Sequence, residues 1–224
     1  LRGGVVGVPE FQLTACVWVR GILEEHHGLP ADAVRYVTGG QESPGRVEKA
    51  PVSVPYDGSA IPPGRTLSQM LAAGEIDALY TPRGPSTLGS GVGRLFGDAI
   101  ATERAYFEAT GIFPVMHVVA IRREVYEADP WVAQSLHKAF VAAKDLAYAG
   151  LADASALRFS SPWLVQHAEA DRALLGDDYW SYGLGANRHV LEAFLRYHHA
   201  QGLSPRLLTP EELFAPETLE SFVI

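Results

Sequence analysis

At 224 residues the chain has room for one large domain or two small ones, and 47% hydrophobic residues with a mean hydropathy of +0.03 supply a buried core, which argues against disorder. A formal net charge of -8 runs against a nucleic-acid footprint, which needs a basic face. The single cysteine, Cys16, excludes an internal disulfide framework and a multi-cysteine metal site and fits a reducing compartment, and no run of ~18 apolar residues suggests a transmembrane helix.

The first element in chain order is a short buried strand, Val5–Val8, ended by Pro9, which has no N–H to continue a ladder. A helix entered near Gln12 and Thr14 follows, with Leu13, Cys16, Val17, Ile22 and Leu23 as its apolar stripe. This order sets a helix N-terminus at the C-terminal edge of a sheet. Unpaired N–H groups and the dipole can hold a carboxylate there, in the crevice where open α/β sheets bind ligands. His26-His27-Gly28-Leu29-Pro30 stops the helix, with Gly28 as the residue past its end. A second strand is expected over 33–37, a loop over 39–45 from its Gly-Gly and Pro-Gly turns, and an irregular or edge segment over 51–65. Thr66 and Gln69 form a capping-box pattern ahead of a short helix closed by Gly74. A compact buried-type strand over 76–80 runs straight into Thr81-Pro82-Arg83-Gly84-Pro85-Ser86. Arg83 therefore sits just past a strand end in a loop stiffened by two prolines. Its planar guanidinium suits bidentate capture of a carboxylate, with a surface salt bridge as the alternative.

In the second half, Gly89-Ser90-Gly91-Val92-Gly93 lacks the spacing and strand context of a nucleotide loop and reads as a mobile loop. A helix is expected over 101–109, ended by Thr110-Gly111, and then a strand over 113–122 that carries His117. An imidazole among apolar neighbours needs either a cleft or a partner, the plainer version being a core histidine bonded to backbone. Asp129 as N-cap with Pro130 behind it opens a long helix. Its Leu136, Ala139, Phe140, Ala143, Leu146 and Ala147 keep the period of a core face. Ser161-Pro162-Trp163 opens another helix to about Leu175, and 186–199 forms the last, with Asn187, Val190, Leu191, Phe194, Leu195 and His198 on one face. Asn187 and Arg188 in its first turn either close over an anion or satisfy local backbone and pair with Asp177 or Asp178. Trp180 and Tyr182 read as packing aromatics. His26-His27 and His198-His199 are adjacent pairs that point to different sides of a helix, so no metal site is expected.

The run Gly7-Val8-Pro9-Glu10-Phe11-Gln12-Leu13-Thr14 resembles the corresponding segment of the 4,5-dihydroxyphthalate decarboxylases, a family similar in fold to the type 2 periplasmic binding proteins. Further similar runs are Gly39-Gly40 with Pro44-Gly45-Arg46, Ile76-Asp77-Ala78 with Pro82-Arg83, and Phe113-Pro114-Val115-Met116-His117. Trp180-Ser181-Tyr182-Gly183-Leu184 with Ala186-Asn187-Arg188-His189, and the closing Leu219-Glu220-Ser221-Phe222, complete a resemblance that covers nearly the whole chain in order. It implies an α/β, two-lobed fold of the type 2 periplasmic-binding-protein kind. Residues 1–117 would form an α/β lobe with cleft-facing strand ends, and 118–224 the mainly helical part of the second lobe. The resemblance further implies that the family's first segment, which forms much of lobe one and the first hinge strand, is missing from this sequence, which opens at Leu1.

The activity the resemblance implies is decarboxylation of 4,5-dihydroxyphthalate to 3,4-dihydroxybenzoate and CO2 without a cofactor or metal, in a cytoplasmic enzyme acting on a small aromatic dicarboxylate; a homo-oligomer is left open. In that setting Arg83, with Arg46 or Arg188, would clamp a carboxylate. Gln12 and Thr14 would orient the substrate with the helix N-terminus, Asn187 would join them, and His117 would transfer the proton. For Arg46 the alternative is an exposed pair with Glu42 or Glu48. A solute receptor of the same fold, feeding a transporter, would use the same clamp and do no chemistry.

Overall fold

The computed structural model describes residues 1–49 and 59–219. Residues 50–58, which take in most of the expected irregular segment, and the closing Glu220-Ser221-Phe222 lie outside the described residues. The chain divides into two compact units: Leu1–Glu103 with Ala193–Leu208, and Arg104–Glu192 with the chain from Thr209 on.

The first unit is built on a four-stranded parallel sheet in the order β3-β2-β1-β4. Its elements are β1 (Val5–Val8), α1 (Thr14–His27), β2 (Arg35–Thr38), β3 (Ser59–Ala60), α2 (Leu67–Ala72) and β4 (Ala78–Leu79). Strand alternation divides the core. Val6 and Val8, both 0% exposed, cluster with Phe11, Cys16, Leu23, Tyr36 and Tyr80, on the side of α1. Gly7 faces the other way, onto a cluster of Leu67, Met70 and Ile76, and a Cβ at Gly7 would lie 2.8 Å from Ile76 Cδ1. Each fully buried valine or leucine here contributes ~1.5–3 kcal/mol. The strand expected over 76–80 is met by ladder bonds from Asp77 N–H to Val5 O (2.8 Å) and Tyr80 N–H to Gly7 O (2.9 Å) on either side of β4. β2 begins two residues later than expected, because Ala31–Ala33 forms a 3-10 turn.

Helix ends follow their local chemistry. Gly28 takes φ +62°, and Leu29 N–H reaches back to Leu23 O at 2.9 Å. α2 carries the full capping box of Thr66 and Gln69. The far half of the last helix, α7 (Leu184–Ala200), belongs to the first unit and meets α1 there. Phe194, tilted, and Tyr197, edge-on, pack against Trp18 with ring centroids 5.4 and 5.7 Å away, and Arg196 pairs with Glu25 at 3.1 Å.

In the second unit α3 (Ala99–Thr110), which starts in the first, is followed by α4 (Arg123–Ala128), α5 (Trp131–Ala152) and α6 (Leu164–Leu175), ahead of α7. Three expectations are corrected here. The segment 113–122 is not a strand: among the described residues no strand pairs with it, and strand preference is realised only where a neighbour takes the backbone hydrogen bonds. The period of α5 does not make a core face either, since Leu136 is 36%, Phe140 41% and Leu146 70% exposed. α5 packs on α4, α6 and the turn at Pro216–Thr218, and it buries Ala133 and Gly150 instead. Asp129 does not cap α5 with its side chain; Pro130 holds the N-cap position, and Asp129 Oδ1 accepts from Trp131 Nε1 at 3.1 Å. Among the described residues no helix is long and apolar enough to cross a membrane.

Gly21, inside α1, tests the α1–α7 packing. A Cβ there would stand 2.3 Å from the Tyr197 ring, which Trp18 holds from the side. Helix propensity alone makes Gly21→Ala stabilising by ~1 kcal/mol. The clash predicts the opposite sign, a loss of ~1–3 kcal/mol in urea unfolding.

Candidate active site

In a parallel sheet all strands finish on the same edge, so the loops after β1, β2 and β4 come out side by side. Three of them carry the expected site residues of the first unit. The loop after β1 is Pro9 to Leu13, ahead of an α1 whose N-cap position, Leu13, gives no side-chain hydrogen bond. The first-turn N–H groups beginning at Thr14 are thus left without a side-chain cap. Glu10 in this loop is 3% exposed. Its Oε1 accepts from Arg46 Nε at 2.7 Å and its Oε2 from Gln12 Nε2 at 2.8 Å. Glu10 is therefore the joint between two of the expected site residues, and the partner of Arg46 is neither Glu42 nor Glu48. Glu48 accepts instead from Phe11 N–H at 2.5 Å, which fixes the loop from the other side. Glu10, Gly45, Arg46, Val47, Glu48 and Lys49 line an open hollow at this edge.

A buried cation holds the loop from beneath. Arg20, 1% exposed, donates from Nη2 to Phe11 O at 2.7 Å and from Nε to Gln201 Oε1 at 2.8 Å, with its guanidinium 3.6 Å from the centre of the Phe11 ring. Phe11 meets Tyr36 edge-on at 5.3 Å, and Tyr36 meets Tyr80 at 6.3 Å. Burial raises both phenols, Tyr80 to about 12, with Arg20 opposing the rise. The floor under this edge is consequently buried and aromatic, with both phenols protonated and the Arg20 guanidinium charged among them.

Arg83 lies on the loop after β4 and is exposed; among the described residues its guanidinium makes no ion pair, so the surface salt bridge set against its functional role is not formed. Its main chain is held, with Arg83 O accepting from Gln41 Nε2 at 2.9 Å. The remaining expected residues belong to the second unit. His117 is exposed on the irregular segment between α3 and α4, not the core histidine of the plainer reading. Asn187 donates to Ser181 O at 3.0 Å and Gly183 O at 2.9 Å, so it satisfies local backbone. Arg188 is engaged by Glu211 and, at 3.7 Å, by Glu192, rather than by Asp177 or Asp178, which pair with Arg172 and Lys144. Among the described residues no group of three His, Cys, Asp or Glu side chains converges as a metal cradle.

No family model matches the chain. Two curated relatives do. A 4,5-dihydroxyphthalate decarboxylase of Comamonas testosteroni is 43% identical over an alignment of 229 positions that takes in the whole chain and 69% of the relative. The chain belongs to the 4,5-dihydroxyphthalate decarboxylase family. A second relative of the same name, from Pseudomonas putida, is 52% identical over 93 residues, 41% of the chain and 36% of that protein.

In this decarboxylase-family chain the lone thiol lies on the inner side of the candidate site. Cys16 is 0% exposed, its Sγ donates to Tyr80 O at 3.3 Å, and burial pushes the thiol up to about 11 against the opposing pull of Arg20. Since only the thiolate alkylates, the native chain at pH 8 is expected to take up iodoacetamide at least ~100-fold more slowly than the urea-unfolded chain. Peptide mass spectrometry reads this directly, and equal rates would mean that Cys16 is not buried as described.

Proposed function

We propose that the protein decarboxylates 4,5-dihydroxyphthalate to 3,4-dihydroxybenzoate and CO2, without a cofactor or metal. The observation that carries the reading is the identity, along the whole chain, to a relative named for that reaction. An exposed arginine with no ion-pair partner among the described residues, just past a parallel strand end, supports it. We also assign the chain to the two-lobed, type 2 periplasmic-binding-protein-like architecture, with 1–117 as the lobe of cleft-facing strand ends and 118–224 in the second lobe, in a cytoplasmic enzyme.

In the proposed chemistry each carboxylate of the substrate lies para to a ring hydroxyl. Electron density from that hydroxyl reaches the carbon bearing the departing carboxylate, and a general acid delivers a proton to it. The C–C bond then breaks, CO2 leaves, and the bonding pair returns to the ring. His117 is the proton donor in this scheme and recovers its proton from water. Arg83 takes the carboxylate that stays. Arg46 assists with the guanidinium nitrogens that Glu10 does not occupy, while Gln12 and Thr14 orient the ring beside the N–H groups of α1. Asn187 and Arg188 take part only by exchanging the partners they already hold in the second unit.

The test is to incubate the intact protein with 4,5-dihydroxyphthalate, with and without chelator, and to follow both products by chromatography. Stoichiometric, chelator-insensitive product is expected. Saturable binding without product would instead identify a solute receptor. His117→Gln is expected to lower kcat by about 10²–10⁴-fold with little change in substrate binding; an unchanged kcat removes His117 from the reaction.

A further inference from the structure

The loops after β2 and β4 are tied together by a carboxylate with no place in the chemistry above. Glu42 Oε1 accepts from Ser68 Oγ at 2.6 Å and from Ser86 N–H at 2.9 Å, while Oε2 accepts from Ser86 Oγ at 2.7 Å. Ser68 is a rigid support: it is 2% exposed at the start of α2, and its own N–H donates to Gln41 O at 3.1 Å. Leu67 N–H donates to Gly40 O at 2.9 Å, so the start of α2 grips the β2 loop by its main chain. Gln41 completes the tie. Its Nε2 donates to Arg83 O at 2.9 Å, and its Oε1 accepts from the Thr81 hydroxyl.

The Arg83 loop is therefore held before, at and after the arginine, through Thr81, the Arg83 carbonyl and Ser86, with Pro82 and Pro85 fixing φ between the anchors. None of these bonds uses the Arg83 guanidinium. Two neighbouring side chains, Gln41 and Glu42, thus fix the backbone of a residue whose charged end has no ion-pair partner among the described residues. Binding a carboxylate with a pre-placed guanidinium costs less ordering than binding with one on a free loop.

We propose that Glu42 and Gln41 are positioning residues that present the Arg83 guanidinium to a carboxylate of the substrate, an inference that rests on the reading of Arg83 as the clamp. The tie holds at neutral pH. Its donors hold the Glu42 carboxyl down to about 2 from its usual 4.5, so the carboxylate's contribution is complete above 4.5 and is lost only as pH falls through about 2. The effect of removing Glu42 on binding is accordingly flat between about pH 5 and 9.

The experiment measures calorimetric binding of phthalate, which has both carboxylates and no hydroxyl to drive turnover, to the intact protein and to R83Q, E42A and the double variant. E42A is expected to weaken binding about tenfold, evenly from pH 5 to 9, and R83Q by about tenfold or more. The double variant should bind within about twofold of R83Q, because Glu42 acts only through Arg83. With 4,5-dihydroxyphthalate, E42A should raise KM and leave kcat nearly unchanged. Wild-type affinity in folded E42A, with R83Q weakened, overturns the positioning role and leaves the clamp standing. A double variant weakened by the product of both single effects also overturns it, because Glu42 would then act independently of Arg83. Wild-type affinity in R83Q overturns clamp and positioning together. If E42A does not fold, S86A, which removes the Ser86 hydroxyl from Glu42, enters the same cycle with the same expected non-additivity.

Discussion

A positive charge with no access to water is the constraint on which the first unit depends. Arg20 is as buried as the valines around it, and an ion in that setting costs several kcal/mol unless its donors are met. Phe11 O meets Nη2, Gln201 Oε1 meets Nε, and the face of the Phe11 ring meets the guanidinium plane. Each charge-assisted hydrogen bond of this kind contributes ~1.5–3 kcal/mol. The same contacts hold the loop after β1 to α1 and, through Gln201, which also donates to Val17 O at 3.0 Å, to the end of α7. The loop that carries Glu10 and Gln12 therefore keeps its shape because the core beneath it does.

On this base the strand edge shows a division of labour among its polar side chains. Glu10 binds both Gln12 and Arg46, so a substrate carboxylate that approaches these two meets a pair already balanced in charge. Arg83 is the reverse case: its main chain is tied, and among the described residues its guanidinium makes no ion pair. Electrostatics thus favours Arg83 as the first point of attachment for an anion. In the proposed binding mode Arg46 would add the nitrogens left over from Glu10, in a pair whose arginine side chain is 45% exposed and correspondingly screened.

Much of this edge was legible in the sequence, for reasons that are local. Pro9 ends β1, Gly28 ends α1, and Thr66 with Gln69 starts α2, because each of these signals acts within a turn of its own position. Arg83 could be placed beyond a strand end for the same reason. Glu10 was missed, because an acidic residue in a turn ordinarily faces water; the available signal was a helix start with leucine, not a capping residue, at position 13, next to a proline-ended strand. Gln41 and Glu42 read as turn residues because their partners Ser68, Thr81 and Ser86 are distant in sequence. In the second unit the failures have one origin. The apolar runs at 113–122 and along α5 have the right period for burial, but period states only which face seeks a partner and not whether the described chain supplies one.

In the proposed function the substrate dicarboxylate is held where the first unit's parallel strands end. Hydrogen exchange of the intact protein with and without 4,5-dihydroxyphthalate tests it most directly. Substrate bound at this edge slows exchange in peptides spanning 9–16, 39–46 and 80–86 together, the three loops joined by Glu10, Gln41 and Glu42. Slowed exchange elsewhere, with these three peptides unchanged at saturating substrate, would contradict it.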